Sequence, residues 1–211
     1  MVKVKICGIT SFEDAAAAVK AGADAIGFVF YRKSPRYVVP GRAAQIARRL
    51  PARVKKVGVF VNASPLFVKR CARLCGLDMA QLHGSESPSV CGRCRPVKII
   101  KAFRVRDAED IDAARRYRTY GYLFDAYVPG SPGGTGKALD RRLLDAIRRL
   151  RVSRTIFLSG GLSARSVAAA ARAAHPHWVD ASSSLESRPG KKDSRKMTAF
   201  IRAVKRMSVI S

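Results

Sequence analysis

The chain has 211 residues, 47% of them apolar, and carries 41 Lys plus Arg against 15 Asp plus Glu for a formal net charge of +26. That length suits one α/β barrel with a sizeable core, and no apolar run approaches the roughly 20 residues a membrane-spanning helix needs, so no membrane partner is expected. The positive field attracts anions, whether nucleic acid, a membrane surface or a phosphorylated metabolite, and charge alone does not choose among them.

The first residues, MVKVKICG, alternate Val2, Val4 and Ile6 with Lys3 and Lys5 and read as a strand ending in Cys7 and Gly8. They lack the apolar stretch and small-residue cleavage site of a signal peptide, so a cytoplasmic protein is expected. Five cysteines, an odd number, speak against a disulfide framework and leave at least one free thiol. SFEDAAAAVKAGA then offers a capping Ser11, an acidic first turn and a helix ending near Gly22. DAIGFVF is short and almost continuously apolar, as a parallel strand buried on both faces is. The beat repeats with strands at KKVGVFV, DMAQLH, VKIIKAF, GYLFDAY, TIFLSGG and HWVDASS, separated by helical segments such as SPLFVKRCARLC and AEDIDAARRYR. Eight strand–helix alternations predict a single-domain (β/α)8 TIM barrel over residues 1–211, since a doubly wound sheet usually has fewer strands. YVPGSPGGTGKALD, after the sixth strand, is placed to close over a ligand, and ESRPGKKDSRK reads as a basic connection before the last helix.

In such a barrel the active site forms at the C-terminal ends of the strands. Cys7 ends the first, His83 follows the fourth, Asp125 ends the sixth, and Arg36 lies in RKSPRYV after the second. The seventh and eighth strands end in SGGL and DASSS, which puts Gly160, Gly161, Ser182 and Ser183 where many barrels bind phosphate through glycine amides and a helix N-terminus. A phosphorylated small-molecule substrate is implied. GSPGGTGK does not make a nucleotide loop, because Ser131 and Ala138 stand where that pattern needs glycine and Ser or Thr. Cys71, Cys75, Cys91 and Cys94 include a CGRC pair at zinc or redox spacing, but CARLC fits a core-facing stripe of inert thiols and no metal is expected. The arginines of ARRL, ARRYR and AIRRLR read as solvated outer helix faces, since no aromatic residues interleave them. The alternative is a basic nucleic-acid-binding protein, or non-specific nucleic-acid affinity added to an enzyme.

Taken in order, KICGIT, GADAIGFVF, SPRYV, QLHG, GGTGK, LSGGL and PGKKD resemble the phosphoribosylanthranilate isomerase family, a tryptophan-biosynthesis barrel, from end to end. The resemblance implies an Amadori rearrangement of N-(5-phosphoribosyl)anthranilate to 1-(2-carboxyphenylamino)-1-deoxyribulose 5-phosphate, with no cofactor and no metal. It implies Cys7 as general base and Asp125 as general acid, with Arg36 on the anthranilate carboxylate and His83 near the site in an unassigned role. Phosphate would rest on amides around Gly134, Gly160, Gly161, Ser182 and Ser183, with a helix dipole helping. Relatives occur as monomers and as dimers, so either a monomer or a homodimer fits.

Those roles make chemical sense, because a carboxylic acid can protonate the ribose ring oxygen and a thiolate can take the C2 proton. An ordinary thiol, with a pKa of about 8.5, is only a few per cent ionised at neutral pH, so a nearby positive charge matters. Lys5 shares a strand face with Cys7 and is expected to lower the thiol pKa, provided it has a buried partner. Two departures stand out. The family's DVSSGVE is DASSSLE here; were a positive φ needed at Ser184, serine would cost on the order of 1 kcal/mol of strain, which Ser184→Gly would relieve. The second is the charge itself, which an isomerase does not require. A relaxed isomerase that also accepts the related histidine-pathway aminoaldose is disfavoured by Cys7, where such a barrel would carry aspartate.

Overall fold

The structure is a computed structural model that describes residues 1–126 and 139–207. Gly134 and the rest of the GSPGGTGK stretch lie outside the described residues. In β1 (Lys3–Cys7) the period of two sends Val4 and Ile6 outward beneath the helices, while Lys5 and Cys7 point into the barrel. β2 (Ala25–Val29) is buried along its whole length, as its unbroken apolar run requires. β3 (Lys55–Phe60), β4 (Met79–Leu82), β5 (Lys98–Val105), β6 (Gly121–Ala126), β7 (Thr155–Leu158) and β8 (Trp178–Ala181) follow in chain order, and all eight close into one parallel barrel. Closure is made by β1 against β8, in a register that sets Lys5 beside Asp180.

The outer ring consists of α1 (Phe12–Ala21), α2 (Pro40–Arg48), α3 (Pro65–Cys75), α4 (Pro88–Arg93), α5 (Ala108–Asp112), α6 (Arg141–Arg149), α7 (Val167–Ala174) and α8 (Ser194–Met207). Their starts are written in the sequence. The Ser11 hydroxyl accepts from the Asp14 amide at 3.2 Å, as expected, and α1 ends at Gly22 in a left-handed conformation. Ser64 and Ser87 cap α3 and α4, each followed by a proline whose fixed φ suits the first helical position. Two segments differ from expectation. AEDIDAARRYR forms only the five-residue α5 before tightening into a 3-10 turn over Ala113–Arg116. The basic connection before α8 contains a hairpin, β9 (Glu186–Arg188) paired antiparallel with β10 (Lys191–Lys192).

The core has two layers. One lies between strands and helices; the other fills the lower barrel with Ala25, Val57, Met79, Leu123, Phe157 and Trp178, the last two stacked at 5.4 Å. Each such large side chain contributes about 1.5–3 kcal/mol by leaving water. The arginines of ARRL, ARRYR and AIRRLR are all exposed, as expected. Cys71, Cys75, Cys91 and Cys94 are buried in the outer layer, and the thiols of Cys75 and Cys94 donate to the carbonyls of Pro40 and Val90. No group of three or more His, Cys, Asp or Glu side chains among the described residues is gathered as a metal site requires.

Burial pushes the thiol of Cys71 up to about 12 and those of Cys75 and Cys91 up to about 11. In the unfolded chain these thiols ionise near pKa about 8.5, so above that pH the unfolded state releases protons that the folded state keeps. Their contribution to stability is therefore whole below pH about 8.5 and lost as the pH rises toward 11 and beyond. Calorimetry should show Tm falling over this window, and falling less steeply in a Cys71→Ala, Cys75→Ala variant; equal slopes would contradict the assignment.

Candidate active site

At the C-terminal end of the barrel one pocket is lined by Cys7, Arg36, His83, Asp125, Gly160, Gly161, Ser182 and Ser183, so every expected site residue that is described meets there. Cys7 is buried at the strand mouth opposite Gly27 of β2. Gly27 is needed for space: a Cβ on it would sit 2.8 Å from the Cys7 Sγ. Gly8 turns the chain with a φ of 76° and lets Arg36 approach, since its own Cβ would fall 2.6 Å from Arg36 Cδ.

Beneath Cys7 lies a polar layer that sequence reasoning only half found. The Lys5 ammonium is fully buried and donates to Asp180 Oδ2 and to Gln81 Oε1, both at 2.8 Å. These are the partners a buried lysine demands. Burial pulls the Lys5 pKa down, but Asp180 and Cys7 outweigh it and the net direction is up, so Lys5 stays charged. The Cys7 thiol nevertheless moves opposite to expectation. Burial drives its pKa above the ordinary value, Asp180 adds to the rise, and the pull of Lys5 and Lys192 does not overcome them. The chief reason is the burial of the thiol at the strand mouth, with Asp180 offsetting part of the pull of Lys5. Asp180 Oδ1, buried on the pocket wall, has no hydrogen-bond partner among the described residues.

The Gln81 amide nitrogen continues the layer to His83 Nδ1 at 2.9 Å, and His83 Nε2 faces Asp125 Oδ2 at 3.5 Å. Asp125, the last residue but one of β6, thus has His83 alongside it. At the next edge, Gly160, at a φ of 87°, turns the chain so closely past β6 that a Cβ there would lie 2.7 Å from the Ala126 nitrogen.

Arg36 is held from an unexpected side. Its Nε and Nη2 donate to the two oxygens of Glu186 at 2.9 Å each, a bidentate pair that fixes the guanidinium plane at the pocket rim. Glu186 also accepts from Lys192 Nζ at 2.7 Å, and Lys192 reaches Ser182, whose hydroxyl donates to the Cys7 carbonyl at 3.0 Å. Burial raises the Glu186 pKa, but the bonds from Arg36 and Lys192 win and hold it below the ordinary carboxylate value. Glu186 and Lys192 come from the hairpin, which Asp14 of α1 ties down through Lys191 and the Lys192 amide. The expectations for this end need two corrections. Ser184 is not at positive φ but lies in a 3-10 turn over Ser183–Leu185, its hydroxyl donating to the Leu162 carbonyl, so glycine there relieves no strain. A turn that short has no macrodipole to offer an anion; backbone amides and hydroxyls are what it presents.

Gln81, Asp180, Glu186 and Lys192 were missed as site residues. For Asp180 and Gln81 the available signal was a polar residue on the inward face of an otherwise apolar strand.

Comparisons with known proteins converge on one family. A family model described as N-(5'phosphoribosyl)anthranilate (PRA) isomerase matches residues 4–203. An N-(5'-phosphoribosyl)anthranilate isomerase from Citrifermentans bemidjiense is 50% identical over 210 residues, covering 100% of both chains. The crystal structure of phosphoribosyl anthranilate isomerase from Thermotoga maritima superposes with a TM-score of 0.91 at 42% identity, covering 97% of this chain and 99% of that one. A further structure, with a TM-score of 0.87, 40% identity and the same coverage, is described as the isomerase in complex with reduced 1-(o-carboxyphenylamino)-1-deoxyribulose 5-phosphate. With this barrel, this pocket and these relatives, the chain belongs to the N-(5'-phosphoribosyl)anthranilate isomerase family.

Proposed function

We propose that the protein is a cytoplasmic isomerase that converts N-(5-phosphoribosyl)anthranilate to 1-(2-carboxyphenylamino)-1-deoxyribulose 5-phosphate in tryptophan biosynthesis. The observation that carries this reading is the shared pocket of Cys7 and Asp125 in a chain 40% identical to an isomerase bound to the reduced product. Asp125 gives a proton to the ribose ring oxygen as the bond from that oxygen to C1 breaks, and the anthranilate nitrogen lone pair forms the Schiff base. Cys7, as thiolate, then removes the C2 proton to give the enolamine. The Asp125 carboxylate then takes the C2 hydroxyl proton as the Cys7 thiol gives its proton to C1, so that the ketone forms and the carboxylic acid and thiolate are restored. The reaction moves hydrogen within one molecule and needs no outside oxidant or reductant.

Arg36 suits the anthranilate carboxylate: Glu186 occupies its Nε side, which aligns the other edge of the guanidinium for a second planar acceptor. Gly160, Gly161, Ser182 and Ser183 suit the phosphate, with Gly134 as a further candidate from the segment outside the described residues. Lys192 beside Ser182 adds positive charge at that end. Nothing in the comparisons favours the nucleic-acid alternative, and part of the basic surface is paired along helices, as in Arg141 with Asp145.

Following the fluorescence of phosphoribosylanthranilate generated in situ should show rapid consumption by the wild-type chain. Cys7→Ser and Asp125→Asn should each lower kcat by about 10²-fold or more, as loss of a proton-transfer group does. Near wild-type turnover in either variant removes that residue from its role. The direction of the Cys7 shift also fixes a pH dependence. Burial raises the thiol pKa, so the rate at which iodoacetamide alkylates Cys7, taken as the difference from Cys7→Ser, should keep rising with pH beyond the ordinary thiol value of about 8.5. A rate already flat by pH about 8 would show that the thiol is not held up by burial.

A further inference from the structure

We infer that Gln81 is a positioning residue that holds His83 as the tautomer with its proton on Nε2, so that His83 presents a donor to Asp125 and cannot take that carboxyl's proton. The inference rests on Asp125 being the general acid.

The argument runs outward from Lys5. An ammonium can only donate, so the Gln81 atom 2.8 Å from Lys5 Nζ is the amide oxygen. The other end of the amide, 2.9 Å from His83 Nδ1, is then the NH2 group, which also can only donate. His83 Nδ1 must offer its lone pair, and the neutral ring carries its hydrogen on Nε2. That nitrogen is buried, without a hydrogen-bond partner among the described residues, and faces Asp125 Oδ2 at 3.5 Å. Closing by a few tenths of an ångström makes this a hydrogen bond, as catalytic contacts do when substrate arrives.

The consequence is a question of where one proton resides. A carboxylic acid beside an imidazole lone pair loses its proton to the ring and becomes half of an ion pair, useless as an acid. To accept that proton on Nε2 the ring would first have to carry its hydrogen on Nδ1, against the Gln81 NH2 group. The charge of Lys5 orients Gln81, Gln81 orients the tautomer, and the tautomer leaves the Asp125 proton for the substrate. Once that proton is given up, the same N–H is aimed at the resulting carboxylate. Gln81 is only 1% exposed and Lys5 fully buried, so water does not compete for these bonds.

The tautomer can be read directly by long-range proton–nitrogen correlation NMR on the labelled full-length chain, which has only three histidines, with His83→Asn assigning the signals. At neutral pH His83 should be neutral and protonated on Nε2; protonation on Nδ1, or an imidazolium, overturns the inference. Gln81→Glu replaces the donor by an acceptor that calls for a hydrogen on Nδ1. It should turn the His83 signals to the Nδ1-protonated pattern and lower kcat about tenfold or more with KM within about threefold. His83→Asn, whose amide cannot take up a proton, should retain measurable turnover, and in that background Gln81→Glu should cost no more than about twofold. An equal loss in both backgrounds means Gln81 acts through Lys5 or packing and overturns the inference. The tautomer is read in the resting protein, so its failure is distinguishable from failure of the acid assignment, which Asp125→Asn reports.

Discussion

A charged amine sealed inside a barrel is tolerable only if oxygen surrounds it, and much of this molecule's upper interior answers that requirement. Lys5 is flanked by Asp180 from the neighbouring β8 and by Gln81 from β4, whose side chain reaches it across the barrel interior because the sheet closes on itself. Removing one partner of such a pair typically costs about 3–5 kcal/mol, because the remaining charge is stranded. The barrel's register, the position of Cys7 one turn of the pleat above, and the orientation of the amide leading toward Asp125 are all fixed by the same ammonium. Its charge pulls the Cys7 pKa down without overcoming the burial that raises it. It is divided among its neighbours, and its chief structural product is order.

A second centre holds the rim. Glu186 receives two bonds from Arg36 and one from Lys192, so a single carboxylate sets both cations beside the pocket. The hairpin that supplies it looks from the sequence like a connection, yet it is bound to α1 through Asp14 and to the loop after β1 through the Thr10 hydroxyl, which donates to the Gly190 carbonyl at 2.7 Å. The two centres meet at Ser182, which touches both Lys192 and the backbone of Cys7. Small residues complete the arrangement, with Gly27 leaving the volume that the Cys7 sulfur fills.

The fold was legible because parallel strands buried on both faces leave short apolar runs, and eight of them are visible in order. The rim positions of Cys7, His83 and Asp125 followed from the same pattern, since each sits at or just past the end of such a run. What could not be read depends on closure. Lys5 announced that it needed a partner, but which inward-facing polar residue stands beside it is decided by the register of β1 against β8, a long-range property. The direction of the Cys7 shift was missed because an attraction read from two positions on one strand was weighed against neither the burial that closure imposes on the thiol nor the counter-ion on another strand. The positive φ on which strain at Ser184 was conditional is not met, and the helix over 108–118 was overextended from a composition that supports one turn before the chain tightens.

The pairing of Lys5 with Asp180 also bears on how the protein is made. The two residues are 175 positions apart, and β1 leaves the ribosome long before β8 exists. At roughly 5–20 residues per second, Lys5 waits about 10–35 s for its counter-ion. During synthesis β1 has β2 to pair with early, but the interior around Lys5 lacks its counter-ion until the last strand arrives to close the ring.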